Sequence, residues 1–341
     1  MSSHTVRVVA GGTVLAVTLA GLTGCGGRRT DAGTDSGSGA VACTVDKDTR
    51  IGIATGNATG VYYALGNAYA IQVKANTGGK VQATAAETGA SVQNIQQLVA
   101  GEYQVAFSLF DTATDAVAGK ASFEGKKQPI QALARIYDNY THVVVRADAG
   151  INDVAGMRGR RISTGSPKSG TEVIAQRLLK AAGLDPDKDI TPQRLDLTKT
   201  TDGMKDGSID GFVWSGGLPT PGVTDLFTTM GAKVKFIDVT PQLAKMRETN
   251  EAYQQGSIPA ATYKTPGDVP TIVVPNVLLV KDGMNADLAC VLTKTLFDKR
   301  DDLVKANSAA KGISLDTARK TDPVTLHRGA TAALDKLGAA K

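Results

Sequence analysis

Glycine and hydroxyl residues gather at three points in this sequence where an apolar run gives way to a helical pattern. The stretches are ATGNATGVYY (54–63), ETGASVQN (87–94) and TGSPKSGTEV (164–173). A helix that begins at such a turn leaves its first backbone N–H groups without intrahelical partners and turns the positive end of its dipole outward. That arrangement seats a carboxylate or a phosphate. Thr59, Gly60, Tyr62 and Tyr63 are the candidates in the first turn and Ser91 and Asn94 in the second. Ser169, Gly170 and Thr171 follow in the third. Tyr62, Leu65, Tyr69 and Val73 recur at helical spacing, so Tyr62 belongs to the core face and Tyr63 is better placed to reach a ligand. Each turn alone also reads as ordinary capping. Three of them at the ends of strands point to the edge where α/β sheets bind ligands. The first turn lacks the Gly-Lys-Ser/Thr of a phosphate loop and the glycine spacing of a dinucleotide fold.

Other reactive residue types are sparse. Beyond His4 there are only His142 and His327, with no His or Cys cluster at metal spacing and no Gly-x-Ser-x-Gly elbow. No metal or cofactor is expected. The chain reads as a non-enzyme, with a secreted enzyme as the lesser alternative. His142 opens an apolar strand and reads as structural. Asp111, after FSLF, suits either a ligand amine or the cap of the next helix, and Trp214 suits either a pocket wall or the core. The net charge of +5 comes from dispersed Lys and Arg, which speaks against nucleic acid as a partner.

The elements that must position these turns follow from the apolar pattern. A short basic start, an apolar core and LTGC ending at Cys25 read as a secretory signal over 1–24. The LTGC ending resembles a bacterial lipobox, which makes Cys25 the lipidated first mature residue. Residues 25–44 are a flexible tether. Cys43 and Cys290 remain in a chain that works where disulfides persist. They form either one bridge, the reading adopted here, or two unrelated buried thiols. Apolar runs then alternate with helical patterns, which predicts an α/β fold with largely parallel sheets. The polar stretch IYDNYT and the unpaired late run TIVVPNVLLV suggest two lobes, 45–140 with 271–341 and 141–270. A ligand cleft would lie between them.

In combination these motifs resemble the TAXI family of TRAP-transporter solute receptors. The resemblance rests on GIATGNATGVYYALGNAYA, ETGASVQNIQQLVAGEYQVAF, HVVVRADAGINDVAGMRGRRISTGSPKSGT, GGLPTP and the block YKTPGDVPTIVVPNVLLV with LACVLTKTLF, over about residues 49–300. It implies a two-lobed periplasmic-binding-protein fold of the second type. The implied protein is monomeric, lipid-anchored at the extracytoplasmic face, and passes a small carboxylate-bearing ligand, an organic acid or amino acid, to an ion-coupled integral membrane permease. A sensor of the same fold that signals to a membrane receptor is the alternative. Carried over residue by residue, the family's binding positions fall on the turn residues above and on Gly217 and Pro219 near Trp214. Two departures stand out: Leu109-Phe110-Asp111 where relatives carry Gln-Ser-Asp, and Glu172 where they carry Arg. Both remove polar or cationic contacts, so a less polar or differently charged ligand than glutamate fits better.

Overall fold

The computed structural model describes residues 39–340; the signal segment, Cys25 and most of the tether lie outside the described residues. Ten strands are present: β1 Thr49–Ala54, β2 Val81–Ala86, β3 Val105–Leu109, β4 Ile130–Arg146, β5 Arg161–Ser163, β6 Thr191–Gln193, β7 Gly211–Gly216, β8 Val234–Phe236, β9 Gln254–Ile258 and β10 Val269–Lys281. The helices are α1 Val61–Asn76, α2 Ser91–Val99, α3 Phe110–Ala118, α4 Gly170–Ala181, α5 Leu197–Asp206, α6 Pro221–Met230, α7 Leu243–Thr249, α8 Ala260–Tyr263, α9 Ala286–Asp298, α10 Arg300–Ala306 and α11 Arg328–Lys336. The strands lie in the order β2-β1-β3-β10-β4-β7-β5-β6, with β8 beside β4 and β9 beside β10.

Two long strands organise this sheet. β4 pairs with β10 along its first part and with β7 along its last, while β10 pairs with β9 at its start and with β3 near its end. Each therefore runs through both halves of the molecule. The chain goes out on one and returns on the other, so the two must be antiparallel, and the sheet is mixed rather than largely parallel. Parallel pairing is confined to β1 with β2 and β3, and to β5 with β6 and β7. The apolar runs on either side of the polar stretch IYDNYT belong to the single strand β4. Its polar middle does not break it because Asn139 is buried with its side-chain amide donating to the Ser215 carbonyl at 3.1 Å. β9 pairs antiparallel with the start of β10, from Ile258 against Val269 to Gln254 against Val273.

The helices cover both faces of each half. Around β1–β3, one cluster joins Ile53, Leu65, Tyr69, Val105 and Leu292, and another joins Val92, Ile95, Leu98 and Leu279. Around β5–β7, Ile162, Ile174, Leu178 and Val213 form a third, and Leu197, Phe212, Val223 and Leu226 a fourth. The spacing read on α1 holds, since Tyr62, Leu65, Tyr69 and Val73 are all buried. Cys43, ahead of β1, is bonded to Cys290 on α9 across 247 residues of sequence. In the chain-entropy model, closing so long a loop contributes about 5 kcal/mol.

His142, on β4, is fully buried against Phe236 and Tyr263. Its Nδ1 lies 2.8 Å from the Tyr140 carbonyl and its Nε2 2.9 Å from the Tyr263 hydroxyl. The carbonyl can only accept, so the neutral ring carries its proton on Nδ1 and Nε2 accepts from the Tyr263 hydroxyl, which itself accepts from the Thr220 N–H at 2.9 Å. Burial lowers the imidazole from 6.5 to about 4. Between those values the unfolded chain binds the extra proton, so this contribution to stability is complete above pH 6.5 and is lost as the pH falls toward 4. The difference in unfolding free energy between wild type and His142→Gln is expected to shrink on the order of 3 kcal/mol over that window. Urea titrations across it check this, and a pH-independent difference contradicts it.

Candidate functional site

β1, β2 and β5 each end in a glycine turn that opens directly into α1, α2 or α4, and the three helix N-termini meet at one small cavity. Gly60, Val61 and Tyr62 line it from α1, Ala90 and Ser91 from α2, and Ser169, Gly170 and Thr171 from α4. Trp214, Ser215, Gly216 and Gly217 at the end of β7 complete the far wall, with Leu109 and Asn139 beside them. The space open to a water-sized sphere is about 30 Å³, room for about two waters in this closed arrangement. A broader groove of about 530 Å³ lies at Phe110, Arg135, Arg247 and Glu251. It contains none of these helix starts, and Arg135 and Arg247 there are engaged by Asp138 and the Tyr253 carbonyl.

Neither α1 nor α2 has a side-chain cap. The Gly60 N–H donates to the Asn57 carbonyl at 2.9 Å, and the next N–H groups of α1 have no intrahelical acceptor. Ser169 caps α4 by accepting from the Glu172 N–H at 2.9 Å, which leaves the Gly170 and Thr171 N–H groups at the cavity. Among the described residues no charged side chain lines this space. Its field is that of three converging helix N-termini, and it is positive.

The two halves touch all around the cavity. The Asn57 amide donates to Ser166 Oγ at 3.2 Å, and its Oδ1 accepts from the Leu197 N–H at 3.2 Å. The Gln93 N–H donates to the Lys168 carbonyl at 3.0 Å. Gly170 sits so close to the opposite half that a Cβ there would lie 2.4 Å from Leu109 Cδ1 and 2.7 Å from Ser91 Oγ. Gly60 faces Trp214 in the same way, at 3.4 Å from its would-be Cβ. Ala90, just ahead of α2, and Lys168, just ahead of Ser169 that caps α4, have φ of 77° and 61°. Non-glycine residues adopt that region at a cost of about 1–3 kcal/mol.

Of the residues singled out from sequence, Gly60, Tyr62, Ser91, Ser169, Gly170, Thr171, Trp214 and Gly217 come together on the cavity wall. Tyr63 does not, although spacing favoured it over Tyr62. The Tyr62 side chain leans toward the helix start, packs on Phe107 with ring centroids 5.3 Å apart, and donates from its hydroxyl to Asn276 Oδ1 at 2.5 Å. Burial holds that hydroxyl well above its ordinary pKa, so it stays protonated. Thr59 lies at the rim, 3.3 Å from Thr198 across the cleft, and the Pro219 carbonyl accepts from the Asn307 amide at 3.3 Å. Asn94 is spent inside the fold, donating to the Thr55 and Phe107 carbonyls at 2.6 and 2.8 Å. Glu172 accepts from the Lys168 N–H at 2.8 Å and pairs with Arg194 at 3.0 Å, away from the cavity.

Asp111 is committed elsewhere too. Its carboxylate accepts from the Thr112 N–H at 2.7 Å and the Tyr253 hydroxyl at 2.5 Å, and pairs with Arg177 at 3.3 Å. Arg177 also reaches Asp115 at 2.5 Å, so this buried cluster ties α3 to α4 across the two halves. Burial pushes the Asp111 carboxyl up, while Arg177 and the Tyr253 hydroxyl pull it down. Sequence reasoning missed Asn57, Leu109, Asn139 and Ser215 as wall residues. Asn57 stands inside the quoted first turn and Ser215 beside Trp214, but nothing local separates them from neighbours.

The sequence model of the NMT1-like family matches residues 53–338, and the chain belongs to that family. A solved protein from Bordetella bronchiseptica RB50 is 19% identical, with 86% of this chain and 89% of that one covered and a TM-score of 0.52. The binding-protein component of an ABC phosphonate transporter from Pseudomonas aeruginosa is 12% identical, with 78% and 80% covered and a TM-score of 0.53. These likenesses show the fold, the two-lobed architecture of periplasmic binding proteins, with β4 and β10 running between the lobes.

The contacts of Gly170 generate a test. This glycine is the first residue of α4 and is not among those with positive φ, so Gly170→Ala leaves α4 intact but props Leu109 and Ser91 away. Affinity for any ligand held in the cavity is expected to fall by about tenfold or more, a loss of at least about 1.4 kcal/mol. Titration followed by Trp214, the sole tryptophan, reads the loss directly. Unchanged affinity would place the ligand elsewhere.

Proposed function

From its membership of the NMT1-like family, we propose that the chain is an extracytoplasmic solute receptor. It captures a small organic acid or amino acid by its carboxylate in the cleft and delivers it to an ion-coupled TRAP-type permease. One observation carries this reading: three helix N-termini from both lobes converge on one small, uncharged cavity. A carboxylate placed there satisfies backbone N–H groups from both sides at once, so binding and closure favour each other. Family membership and the periplasmic-binding fold support capture and delivery; the TRAP assignment rests on the motif resemblance at the three turns and the GGLPTP segment. The Cys43–Cys290 bond fits an oxidising compartment. The apolar run ending in LTGC supports lipid attachment at Cys25 as the anchor.

Two measurements test the reading. Thermal-shift and calorimetric screening of small acids and amino acids is expected to find a ligand with Kd of about 1 μM or tighter, about −8 kcal/mol. Uptake in cells carrying the receptor with its permease should collapse when ionophores dissipate the ion gradient. Uptake that survives ionophores but stops without ATP would assign an ABC-type partner instead, as in the phosphonate system. For the anchor, the intact mass of membrane-fraction protein should lose its acyl component in Cys25→Ser. Equal mass and equal solubility of the two proteins would remove the lipid.

A further inference from the structure

The hydrogen-bonding inventory of the cavity narrows the ligand. Ser91 Oγ accepts from the Leu109 N–H at 3.0 Å, Ser169 Oγ from the Glu172 N–H at 2.9 Å, and Thr171 Oγ1 from the Ser215 N–H at 3.2 Å. A hydroxyl has one proton to give and two acceptor sites; in all three one acceptor site is occupied, and the O–H groups of Ser169 and Thr171 are left to donate, while Ser91 also meets the Tyr62 hydroxyl. Ser215 Oγ, on a residue only 5% exposed, has no partner at all. The wall's amide oxygens already accept, Asn57 Oδ1 from the Leu197 N–H at 3.2 Å and Asn139 Oδ1 from the Asn276 amide at 2.8 Å. Helix N–H groups add further donors. No Asp or Glu lines the cavity, and Asp111 is held by Arg177, Tyr253 and Thr112. The remaining wall, Val61, Ala90, Leu109 and Trp214, is apolar.

Resting on the receptor reading, we infer that the ligand is a short organic monoanion without an ammonium group, a carboxylate or sulfonate head on an apolar stub. The head takes donors only, which this cavity supplies from the hydroxyls of Ser169, Thr171 and Ser215 and from three helix starts. An α-amino acid would bring three N–H donors into a space with no carboxylate to meet them, against the positive helix ends. The stub needs more room than this closed arrangement leaves, so the bound state holds the lobes slightly wider, with the stub against Leu109 and Trp214. Leu109 thus becomes a specificity residue, standing where the resemblance expects a polar side chain.

Calorimetry on the purified protein with matched pairs decides this: propionate against L-alanine, butyrate against 2-aminobutyrate, and ethanesulfonate against taurine, with L-glutamate alongside. At least one acid should bind, and its amino partner should bind about 100-fold more weakly. The carboxylate and sulfonate arms identify the head. An amino compound that binds as tightly as its partner, or glutamate that binds best, overturns the inference and leaves the receptor reading standing. If nothing in either class binds, the receptor reading falls and the inference with it. Ser215→Ala should weaken the bound acid by about tenfold, with an unchanged melting temperature showing that the fold is kept. Unchanged affinity in that variant overturns the placement of the head at the hydroxyl cluster.

Discussion

Three helix N-termini facing one another across a narrow gap are an electrostatic problem as much as a binding site. Each carries the equivalent of roughly half a positive charge, and no acidic side chain lines the cavity between them; Glu172, in the first turn of α4, pairs with Arg194 away from it. Bringing the halves together concentrates like-signed ends and buries N–H groups without acceptors, both of which oppose closure. An anion in the gap reverses both effects at once. The same groups that discourage an empty closed state therefore reward an occupied one, and recognition is coupled to conformation without any dedicated switch residue.

The fold supplies the means to hold that gap open or shut. Because β4 and β10 run antiparallel through both lobes, relative motion has to pass through two adjacent strands, and β10 is irregular between Pro275 and Val277, beside the cleft. Asn276, at that irregularity, accepts from the Tyr62 hydroxyl at 2.5 Å and donates to Asn139 at 2.8 Å. A wall residue of α1 is thus bonded directly to the crossing strands. On the flank, Arg177 reaches from one lobe to Asp111 and Asp115 of the other. Opening such a pair exposes its charges to water, which compensates most of the lost attraction, so the pair fixes the closed register more than it adds stability.

What could be read from the sequence was what is local. Helix starts are announced by glycine and hydroxyl residues within a few positions, so the three turns and eight of the wall residues were visible before any coordinates. Strand identity followed from apolar runs, except where buried polar residues such as Asn139 are satisfied by distant partners and so do not interrupt β4. Contacts across the cleft were invisible. Nothing near Asn57 points to Ser166 or Leu197, and nothing near Leu109 points to Gly170. Asp111 illustrates the same limit, because a carboxylate after a strand has the same local signature whether it faces a ligand or an arginine more than sixty residues away. Tyr62 failed differently. Helical spacing assigned it correctly to the buried face, but at the first turn of a helix that face is also the cavity.

Ala90 and Lys168 show how the two sides of the site are set against each other. Each holds an unfavourable backbone conformation just ahead of a helix, and each is held by several bonds. Thr88 Oγ1 accepts from the Ala90 N–H at 3.1 Å, while the Lys168 N–H donates to Glu172 at 2.8 Å and its carbonyl accepts from Gln93 across the cleft at 3.0 Å. These conformations lead the chain into α2 and α4, whose first residues line the cavity. Glycine at these positions would relax the turn and free the chain to sample other directions. A fixed direction matters more here than a relaxed one. An anion meets donors already oriented toward it, and the entropy of orienting them has been lost in folding rather than at binding.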